Sequence, residues 1–403
     1  MRTIGVIGAS LAGLRSAEAL RANGFDGRLV MVGEEPHRPY DRPPLSKDFL
    51  RGTTSDIALS RAEDDDALAA EWRLGVRAER LDPSTRAVTL SDGSTLTVDG
   101  VVIATGGTPR RLRGTDGIDG VATLRTMDDA VALRDRLLAE PRHVVVIGAG
   151  FLGAEVAASC HAMGRPVTVV EALPVPLAGA IGEQMGRVCA QLHGDNGVPL
   201  ICGHGVAGLI AVDGRVRGVR LHDGRQLPAD LVVVAIGIVP ATDWLAGSGL
   251  QLDNGVVTDA GWCTAVPGVV AVGDVARHDC VTGPARHEHW TNAVEQSRVA
   301  ARNLLAGKHT AHCDGPGYFW SDQYGVRIQF AGSIRPSDEV RVVDGSVDER
   351  KFLATYHRDG RTTGALAMNS ARAFVRARRT FTTTTEEDGR CPTCSSTAPG
   401  GTR

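Results

Sequence analysis

The sequence predicts an α/β protein built from two copies of one strand–turn–helix–strand module, followed by an α+β domain with an antiparallel sheet. Three observations support this fold class. A buried strand, a glycine-rich turn and a helix-period segment come first, within residues 3–34. The same order of elements returns from residue 143. Beyond residue 318 the chain changes to short apolar runs with turn signals between them, which is typical of antiparallel strands.

The first module is contained in residues 3–34. Residues 3–7 form an apolar run of strand length, and the turn Gly8–Gly13 ends it. Apolar residues then recur at helical spacing, and a second apolar run leads to Glu34. Turn glycines let the backbone approach a pyrophosphate, the helix N-terminus favours its negative charge, and an acidic residue at this point can bind a ribose hydroxyl. The stretch therefore predicts a dinucleotide site.

The segment after the first module has less specific signals. Residues 38–47 are rich in proline, and their composition alone favours a rigid, solvated connector. Residues 61–71 are charged and predict an exposed helix. Residues 87–96 predict a small hairpin, and residues 101–107 predict a buried strand that ends in a glycine turn.

The second module repeats the plan of the first. A strand over residues 143–147 leads into the turn Gly148–Glu155, in which all three glycines are present. In the first turn Ser10 replaces the middle glycine, which restricts the closest approach of backbone to phosphate. A helix and the strand 167–170 follow, and the strand ends at Glu171.

The hairpin also returns, at one constant offset along the chain. Ala235-Ile236-Gly237 stands where Ala104-Thr105-Gly106 stood in the first copy. Regular internal repetition is rarely accidental. The sequence thus predicts two nucleotide sites, and the alternative of one real site with a decayed copy is disfavoured.

The rest of the chain returns to strand and helix signals. Residues 269–274 predict a buried strand ending in Gly273-Asp274, and residues 286–300 lead into a helix. The antiparallel strands follow from residue 318, and residues 370–379 predict a basic terminal helix. The segment 382–403, rich in Thr, Ser and Gly, is expected to be disordered.

Composition excludes several classes of protein. A net charge of −3 over 403 residues argues against nucleic acid as a partner. No apolar run approaches the roughly 20 residues of a membrane span, and a strand near Met1 leaves no room for a signal peptide. Eight scattered cysteines favour reduced thiols in a cytoplasmic enzyme.

Several motifs jointly resemble those of the two-dinucleotide-fold flavoprotein reductases. Within that group the sequence is similar to the NADH-dependent ferredoxin reductases, which serve Rieske dioxygenases and cytochrome monooxygenases. The resemblance covers about residues 3–380. It is carried by Ala104–Gly107, Gly273–Asp274, Arg42–Lys47, Leu124–Thr126, Glu288–Ala293 and Phe319–Gln323.

The resemblance implies non-covalent FAD in the first module and NADH in the second. It also implies a division of the chain, in which the FAD domain is interrupted by the NAD domain. The expected boundaries are 1–112 with 243–318 for FAD, 113–242 for NAD, 319–381 for a C-terminal interface domain and 382–403 for the tail.

The resemblance assigns residues to each cofactor. In the FAD site, glycines and Ala12 meet the pyrophosphate, Arg42 and Arg125 neutralise phosphate, and the backbone at Trp290 reaches the pyrimidine edge. The expected FAD residues are Gly8, Ser10, Ala12, Gly13, Glu34, Arg42, Lys47, Ala78, Ala104, Thr105, Gly106, Arg125, Gly273, Asp274 and Trp290. The expected NADH residues are Gly148, Gly150, Phe151, Leu152, Gly153, Glu155, Glu171, Ile236 and Gly237.

Three residues are candidates for catalysis. By resemblance Lys47 lies beside flavin N5, and Glu155 is its partner and helps to place the nicotinamide. The alternative for Glu155 is a carboxylate that stabilises a helix N-terminus. Trp320 either contacts the flavin edge or is a core tryptophan.

Glu171 bears on the choice of nicotinamide cofactor. A carboxylate at the end of the second strand accepts hydrogen bonds from a free 2′-hydroxyl and repels a 2′-phosphate. Residues 172–176 contain no arginine to receive that phosphate. NADH is therefore favoured over NADPH.

The loop Tyr40–Lys47 contains no cysteine, whereas disulfide reductases of this fold keep a redox cysteine there. Electrons are then expected to pass to a [2Fe–2S] ferredoxin, an anionic partner that basic residues could steer. An NADH oxidase or disulfide-type reductase and a non-turnover NADH-sensing flavoprotein are the alternatives, and the oligomeric state is left open. The candidate steering residues are Arg298, Arg302, Arg335, Arg372 and Arg376.

No metal site is predicted. Cys391 and Cys394 could form a redox pair or half a zinc site, but no second pair of ligands lies nearby. His278, His287 and His289 lack the spacing of helical metal ligands.

Overall fold

The computed structural model describes residues 1–61, 67–280, 283–286, 288–312 and 317–387. The first part of the chain forms β1 (Thr3–Ile7), α1 (Leu11–Ala22), β2 (Arg28–Gly33), α2 (Asp48–Arg51), β3 (Ala70–Leu74), β4 (Ala78–Asp82), β5 (Ala87–Leu90), β6 (Thr95–Thr97), β7 (Gly100–Ile103) and β8 (Gly107–Pro109).

The middle of the chain forms the second set of elements. These are β9 (Val121–Ala122), α3 (Met127–Leu138), β10 (Val144–Ile147), α4 (Phe151–Ala162), β11 (Val167–Glu171), α5 (Ala178–Asp195), β12 (Leu200–Cys202), β13 (Val206–Val212), β14 (Arg215–Leu221), β15 (Gln226–Pro228), β16 (Leu231–Val234) and β17 (Ile238–Pro240).

The last part of the chain completes the first module and adds a separate sheet. Its elements are β18 (Val256–Thr258), β19 (Val269–Ala271), β20 (Ala276–Cys280), β21 (Gly283–Ala285), α6 (Trp290–Ala306), β22 (Tyr318–Gln323), β23 (Val326–Gly332), β24 (Glu339–Ser346), β25 (Lys351–Arg358), β26 (Arg361–Met368) and α7 (Ala371–Glu387). Short 3-10 turns cover Pro43–Ser46, Asp243–Leu245 and Gly273–Val275.

The predicted internal repeat is confirmed by two parallel sheets with the same strand order. The first is β19-β7-β1-β2-β3, and the second, read in the same direction, is β9-β16-β10-β11-β12. The inner strands are buried on both faces, which explains their continuous apolar runs. The fifth strand differs in origin, because β19 comes from the returning chain and β9 from the segment entering the second module.

Each parallel sheet carries a small antiparallel one, β4-β5-β6 in the first module and β13-β14-β15 in the second. The predicted hairpins are therefore confirmed. The helix predicted over residues 61–71 is wrong at its end. Ala70 and Glu71 belong to β3, where they pair with Leu29 and Val30 of β2. Pairing at the sheet edge outweighs the local helical signal there.

The two modules are joined by paired connections, since β8 and β17 run antiparallel. The apolar core of the first module contains residues from both ends of the interrupted domain, such as Ile4 and Leu304. This common core supports the predicted FAD domain of 1–112 with 243–318, and the exact domain limits stay a prediction.

The C-terminal sheet has the order β22-β23-β26-β25-β24 and is antiparallel throughout. Helix α5 of the second module packs on it through Ile181 and Met185. At the turn between β22 and β23, Tyr324 hydrogen-bonds the buried ring of His193, with 2.8 Å between the hydroxyl and Nδ1. Burial lowers the pKa of His193 to about 4, so its neutral ring can accept this bond.

Helix α7 includes the first residues of the segment predicted to be disordered, and residues 388–403 lie outside the described part of the chain. Among the described residues, none of the helices combines the length and apolar character that a membrane span requires. The thiols of Cys160, Cys189, Cys202 and Cys263 are free.

Candidate functional site

The two glycine-rich turns have matching backbone geometry. Gly8 has φ +116° and Gly148 has φ +102°, a region that other residues rarely adopt. A Cβ atom added at Gly8 would lie 2.1 Å from the carbonyl oxygen of Ala104, and one at Gly148 would lie 2.3 Å from that of Ala235. Both positions therefore require glycine because the chain after β7 or β16 passes directly against the turn.

The third glycine of each turn brings the following helix against the strand. An added Cβ would lie 1.9 Å from the carbonyl oxygen of Gly8 in the case of Gly13, and 1.9 Å from that of Gly148 in the case of Gly153. The free amides at the start of α1 and α4 consequently face the turn. Such helix N-termini bind phosphate groups.

The middle position differs between the modules. A Cβ atom at Gly150 would meet no atom within 4 Å, so open space lies in front of α4. In the first module the hydroxyl of Ser10 lies 3.3 Å from Nε of Arg42. The serine is thus held by a cation, and the turn keeps an arrangement suited to an anionic group.

Arg42 and Arg125, the two arginines predicted to neutralise phosphate, each form an ion pair with a carboxylate. Arg125 forms an ion pair of 2.8 Å with Asp274, which brings two predicted FAD residues together. Arg42 pairs at 2.6 Å with Glu35, and the hydroxyl of Tyr40 also hydrogen-bonds Glu35. Glu35 lies in none of the motifs that the sequence analysis identified.

The Gly273-Asp274 turn lies beside α1 and α6. A Cβ atom at Gly273 would be 2.9 Å from the methyl group of Ala12. The amide of Gly273 donates to Oε1 of Gln296 at 2.7 Å, and Gln296 is 1% exposed. Its Nε2 is buried and has no hydrogen-bond partner among the described residues, which fits a site that is completed by a polar ligand. Sequence reasoning missed Gln296 because a helical glutamine has no specific motif.

Lys47 and Glu155 meet between the two modules. Nζ of Lys47 lies 2.6 Å from Oε2 of Glu155, although 108 residues separate them in sequence. Glu155 is 6% exposed, and Ser46 donates a second hydrogen bond of 2.6 Å to the same oxygen. This contact is consistent with the predicted pairing of Lys47 with Glu155. Ser46 lies in the Arg42–Lys47 motif, but no role was predicted for it.

Two tryptophans lie near this pair in the fold. Trp290, at the start of α6, donates its indole N–H to Asp41 at 2.8 Å, and its ring centroid lies 6.2 Å from that of Trp320. Trp320 is half-buried and has the guanidinium of Arg327 over its ring. Burial raises the pKa of the Asp41 carboxyl that accepts the hydrogen bond from Trp290. A half-buried ring is compatible with a contact at the edge of a cofactor.

Glu171 ends β11 and has a fixed carboxylate. Oε2 accepts a hydrogen bond of 2.8 Å from the amide of Ala149, and Oε1 accepts one of 2.9 Å from Leu173. Its counterpart Glu34 is 68% exposed and lies 3.6 Å from Arg77. Glu171 is the last residue of the second strand of its module and Glu34 directly follows the corresponding strand β2; a ribose-binding carboxylate was predicted at both positions.

The remaining predicted residues have the following positions. Thr105 donates its hydroxyl to the carbonyl of Ala241 at 2.9 Å, and Gly237 has φ +93°. Phe151 packs on Phe319 of β22, with 4.6 Å between ring centroids. Ala78 is buried, Gly106 lies against the side chain of Arg125, Leu152 is exposed and Ile236 follows β16.

Some predicted residues lie elsewhere or outside the described chain. The five candidate steering arginines, Arg298, Arg302, Arg335, Arg372 and Arg376, are all exposed. His287, Cys391 and Cys394 lie outside the described residues.

Comparison with known proteins agrees with this geometry. Residues 2–297 match the family described as pyridine nucleotide-disulphide oxidoreductase, and residues 318–390 match the reductase C-terminal family. A ferredoxin–NAD(P)(+) reductase of Sphingomonas sp is 36% identical over 93% of this chain and 91% of its own.

Two solved structures are also similar. The ferredoxin reductase of the CYP199A2 system from Rhodopseudomonas palustris has a TM-score of 0.88 and 33% identity, covering 94% of each chain. The covalent complex of putidaredoxin reductase with putidaredoxin has a TM-score of 0.89 and 31% identity, covering 95% of this chain and 93% of that one.

Two dinucleotide folds, a buried lysine–glutamate pair between them and a C-terminal antiparallel sheet define a flavoprotein oxidoreductase that uses FAD and a nicotinamide cofactor. The chain belongs to the ferredoxin–NAD(+) reductases, within the pyridine nucleotide-disulphide oxidoreductase family.

Proposed function

We propose that this protein transfers electrons from NADH to a small [2Fe–2S] ferredoxin that feeds an oxygenase. The observation that carries the proposal is the pair of matching glycine turns with the Lys47–Glu155 ion pair between them. FAD, when bound, supplies the chemistry that converts a two-electron donor into single electrons. The loop Tyr40–Lys47 contains no cysteine, which disfavours a disulfide-type reductase.

In this proposal the first module holds FAD. Gly8 and Gly13 open the turn to the pyrophosphate, and the start of α1 offers its free amides. Arg42 and Arg125 supply positive charge. Asp274 and the side-chain amide of Gln296 offer polar contacts at the turn that begins with Gly273.

The second module holds the nicotinamide cofactor through Gly148, Gly150 and Gly153. Lys47 keeps a positive charge beside the reacting region, and Glu155 orients that charge through a hydrogen bond. A cation fixed in a buried position stabilises developing negative charge without reorganising when the charge appears.

The proposed partner binds near the C-terminal sheet. Exposed arginines such as Arg335, Arg372 and Arg376 would attract an anionic ferredoxin. Trp320, on β22 of that sheet, contacts Trp290 at the start of α6. The solved complex of a relative with putidaredoxin supports a protein partner of this type. The free thiols support the cytoplasmic location that we propose with it.

Glu171 is proposed to select NADH. Glu171→Gln is expected to move the ratio of kcat/KM for NADH over NADPH by about tenfold toward NADPH, because a neutral amide no longer repels a 2′-phosphate. Steady-state kinetics with each cofactor measure this ratio. The control Glu183→Gln changes an exposed carboxylate on α5 and should leave the ratio unaltered. An unaltered ratio in Glu171→Gln would refute the assignment.

The function itself is tested on the purified protein with FAD bound. Anaerobic NADH should bleach the flavin absorbance within seconds, and cytochrome c reduction should then require an added [2Fe–2S] ferredoxin, with putidaredoxin as the probe. Fast cytochrome c reduction without ferredoxin would contradict the proposal. Slow bleaching followed by a long-lived complex with long-wavelength absorbance would favour an NADH sensor instead.

A further inference from the structure

The Glu155 carboxylate contacts three separate parts of the chain. Oε2 receives Ser46 and Lys47 from the loop after the first module. Oε1 receives the hydroxyl of Ser321 at 2.7 Å and the amide of Asp322 at 3.4 Å, both from β22 of the C-terminal sheet. The sheet that is proposed to meet the ferredoxin therefore also reaches the centre of the site.

The orientation of the Ser321 hydroxyl follows from its neighbours. Nε2 of Gln323 lies 3.1 Å from the Ser321 oxygen and can only donate. An ionised carboxylate can only accept, so the Ser321 proton points to Glu155. Ser321 is fully buried.

A buried ion pair is costly unless its remaining acceptor sites are filled. Taking Lys47 and Glu155 out of water has a large desolvation cost, which further hydrogen bonds offset. Without Ser321, the oxygen Oε1 would keep, within the described part of the chain, only the long 3.4 Å bond from the amide of Asp322. Ser46 and Lys47 would still hold Oε2, but the other side of the carboxylate would be less closely fixed, and so would its alignment with Lys47.

Strand β22 is itself held against both modules. Its buried residues alternate, with Phe319, Ser321 and Gln323 on the inner face. Phe319 packs on Phe151 of the second module at 4.6 Å and stacks on His289, directly before α6, at 4.7 Å between ring centroids. The position of Ser321 relative to Glu155 is thus fixed by packing on either side.

We infer that Ser321 is a positioning residue for hydride transfer. Its hydroxyl, supplied by the C-terminal sheet, holds the Glu155 carboxylate in the orientation that contacts Lys47. Ser321 acts through Glu155 and not by contact with the nicotinamide. This inference rests on the proposed function and gives the C-terminal sheet a role in the NADH half of the reaction, in addition to partner binding.

The first test uses rapid mixing of the FAD-loaded protein with NADH under anaerobic conditions. Ser321→Ala should lower the limiting rate of flavin bleaching by about tenfold, since a buried acceptor loses its donor, with less than about a twofold change in the half-saturating NADH concentration. Ser321→Thr, which keeps the hydroxyl, should restore the rate to within about twofold. Ser346→Ala, at the opposite edge of the same sheet, should match the wild type.

The second test does not depend on activity. The urea midpoints of Ser321→Ala, Glu155→Ala and the double variant should be non-additive, whereas Ser346→Ala with Glu155→Ala should be additive. Additive midpoints for Ser321 and Glu155, or an unchanged limiting rate, would overturn the inference. A fall in rate that threonine does not restore would overturn it too. If NADH failed to bleach the wild-type flavin, the proposed function would be refuted. The urea midpoints would still test the contact between Ser321 and Glu155.

Discussion

Gly13→Ala is expected to give a protein that no longer retains FAD. The added Cβ atom would lie 1.9 Å from the carbonyl oxygen of Gly8, so α1 must move away from the turn. Overpacking of this kind costs about 3 kcal/mol, which corresponds to about a hundredfold weaker binding. The absorbance of the purified protein near 450 nm, relative to that at 280 nm, measures the FAD that remains.

The matched control is Gly194→Ala in α5. An added Cβ there meets no atom within 4 Å, and alanine is the better helix former, so FAD content should equal that of the wild type. Calorimetric binding of NAD⁺ shows whether the second module of Gly13→Ala is still folded. A yellow Gly13→Ala protein with full FAD content would refute the assignment of FAD to the first module.

The parts of the fold that the sequence predicted are those with local signals. The turn Gly8–Gly13 and its repeat at Gly148–Gly153 combine a φ above zero with a close approach of backbone, and only glycine satisfies both. The inner strands of the two sheets are buried on both faces, so their sequences are continuous apolar runs. Because the two modules share one order of elements, the prediction of each module supported the prediction of the other.

The parts that were missed depend on contacts between distant residues. Ser321 meets Glu155 across 166 positions of sequence; it lies in the Phe319–Gln323 motif, but no role was predicted for it. Gln296 is equally ordinary until its contact with Gly273 is known. The helix expected over residues 61–71 failed at Ala70 because a partner strand, and not local propensity, determines an edge strand.

Gly153→Ala is expected to keep FAD and lose the response to NADH. Its Cβ atom would lie 1.9 Å from the carbonyl oxygen of Gly148, which displaces α4 and distorts the turn of the second module. The core of the first module includes no residue of this turn, so the Gly8–Gly13 turn and α1 are expected to stay in place and to retain FAD. NADH at a concentration that saturates the wild type should bleach the flavin about a hundredfold more slowly.

Reduction by dithionite distinguishes two causes of slow bleaching, the loss of the nicotinamide site and an inaccessible flavin. It needs no binding site in the second module and should bleach Gly153→Ala as fast as the wild type, with the absorbance followed in the same rapid-mixing instrument. Together with a colourless Gly13→Ala, this result would assign the two cofactors to the two turns independently. A Gly153→Ala protein that loses FAD but still binds NAD⁺ would reverse the assignment, because the two turns are related by the repeat and either could in principle hold either dinucleotide.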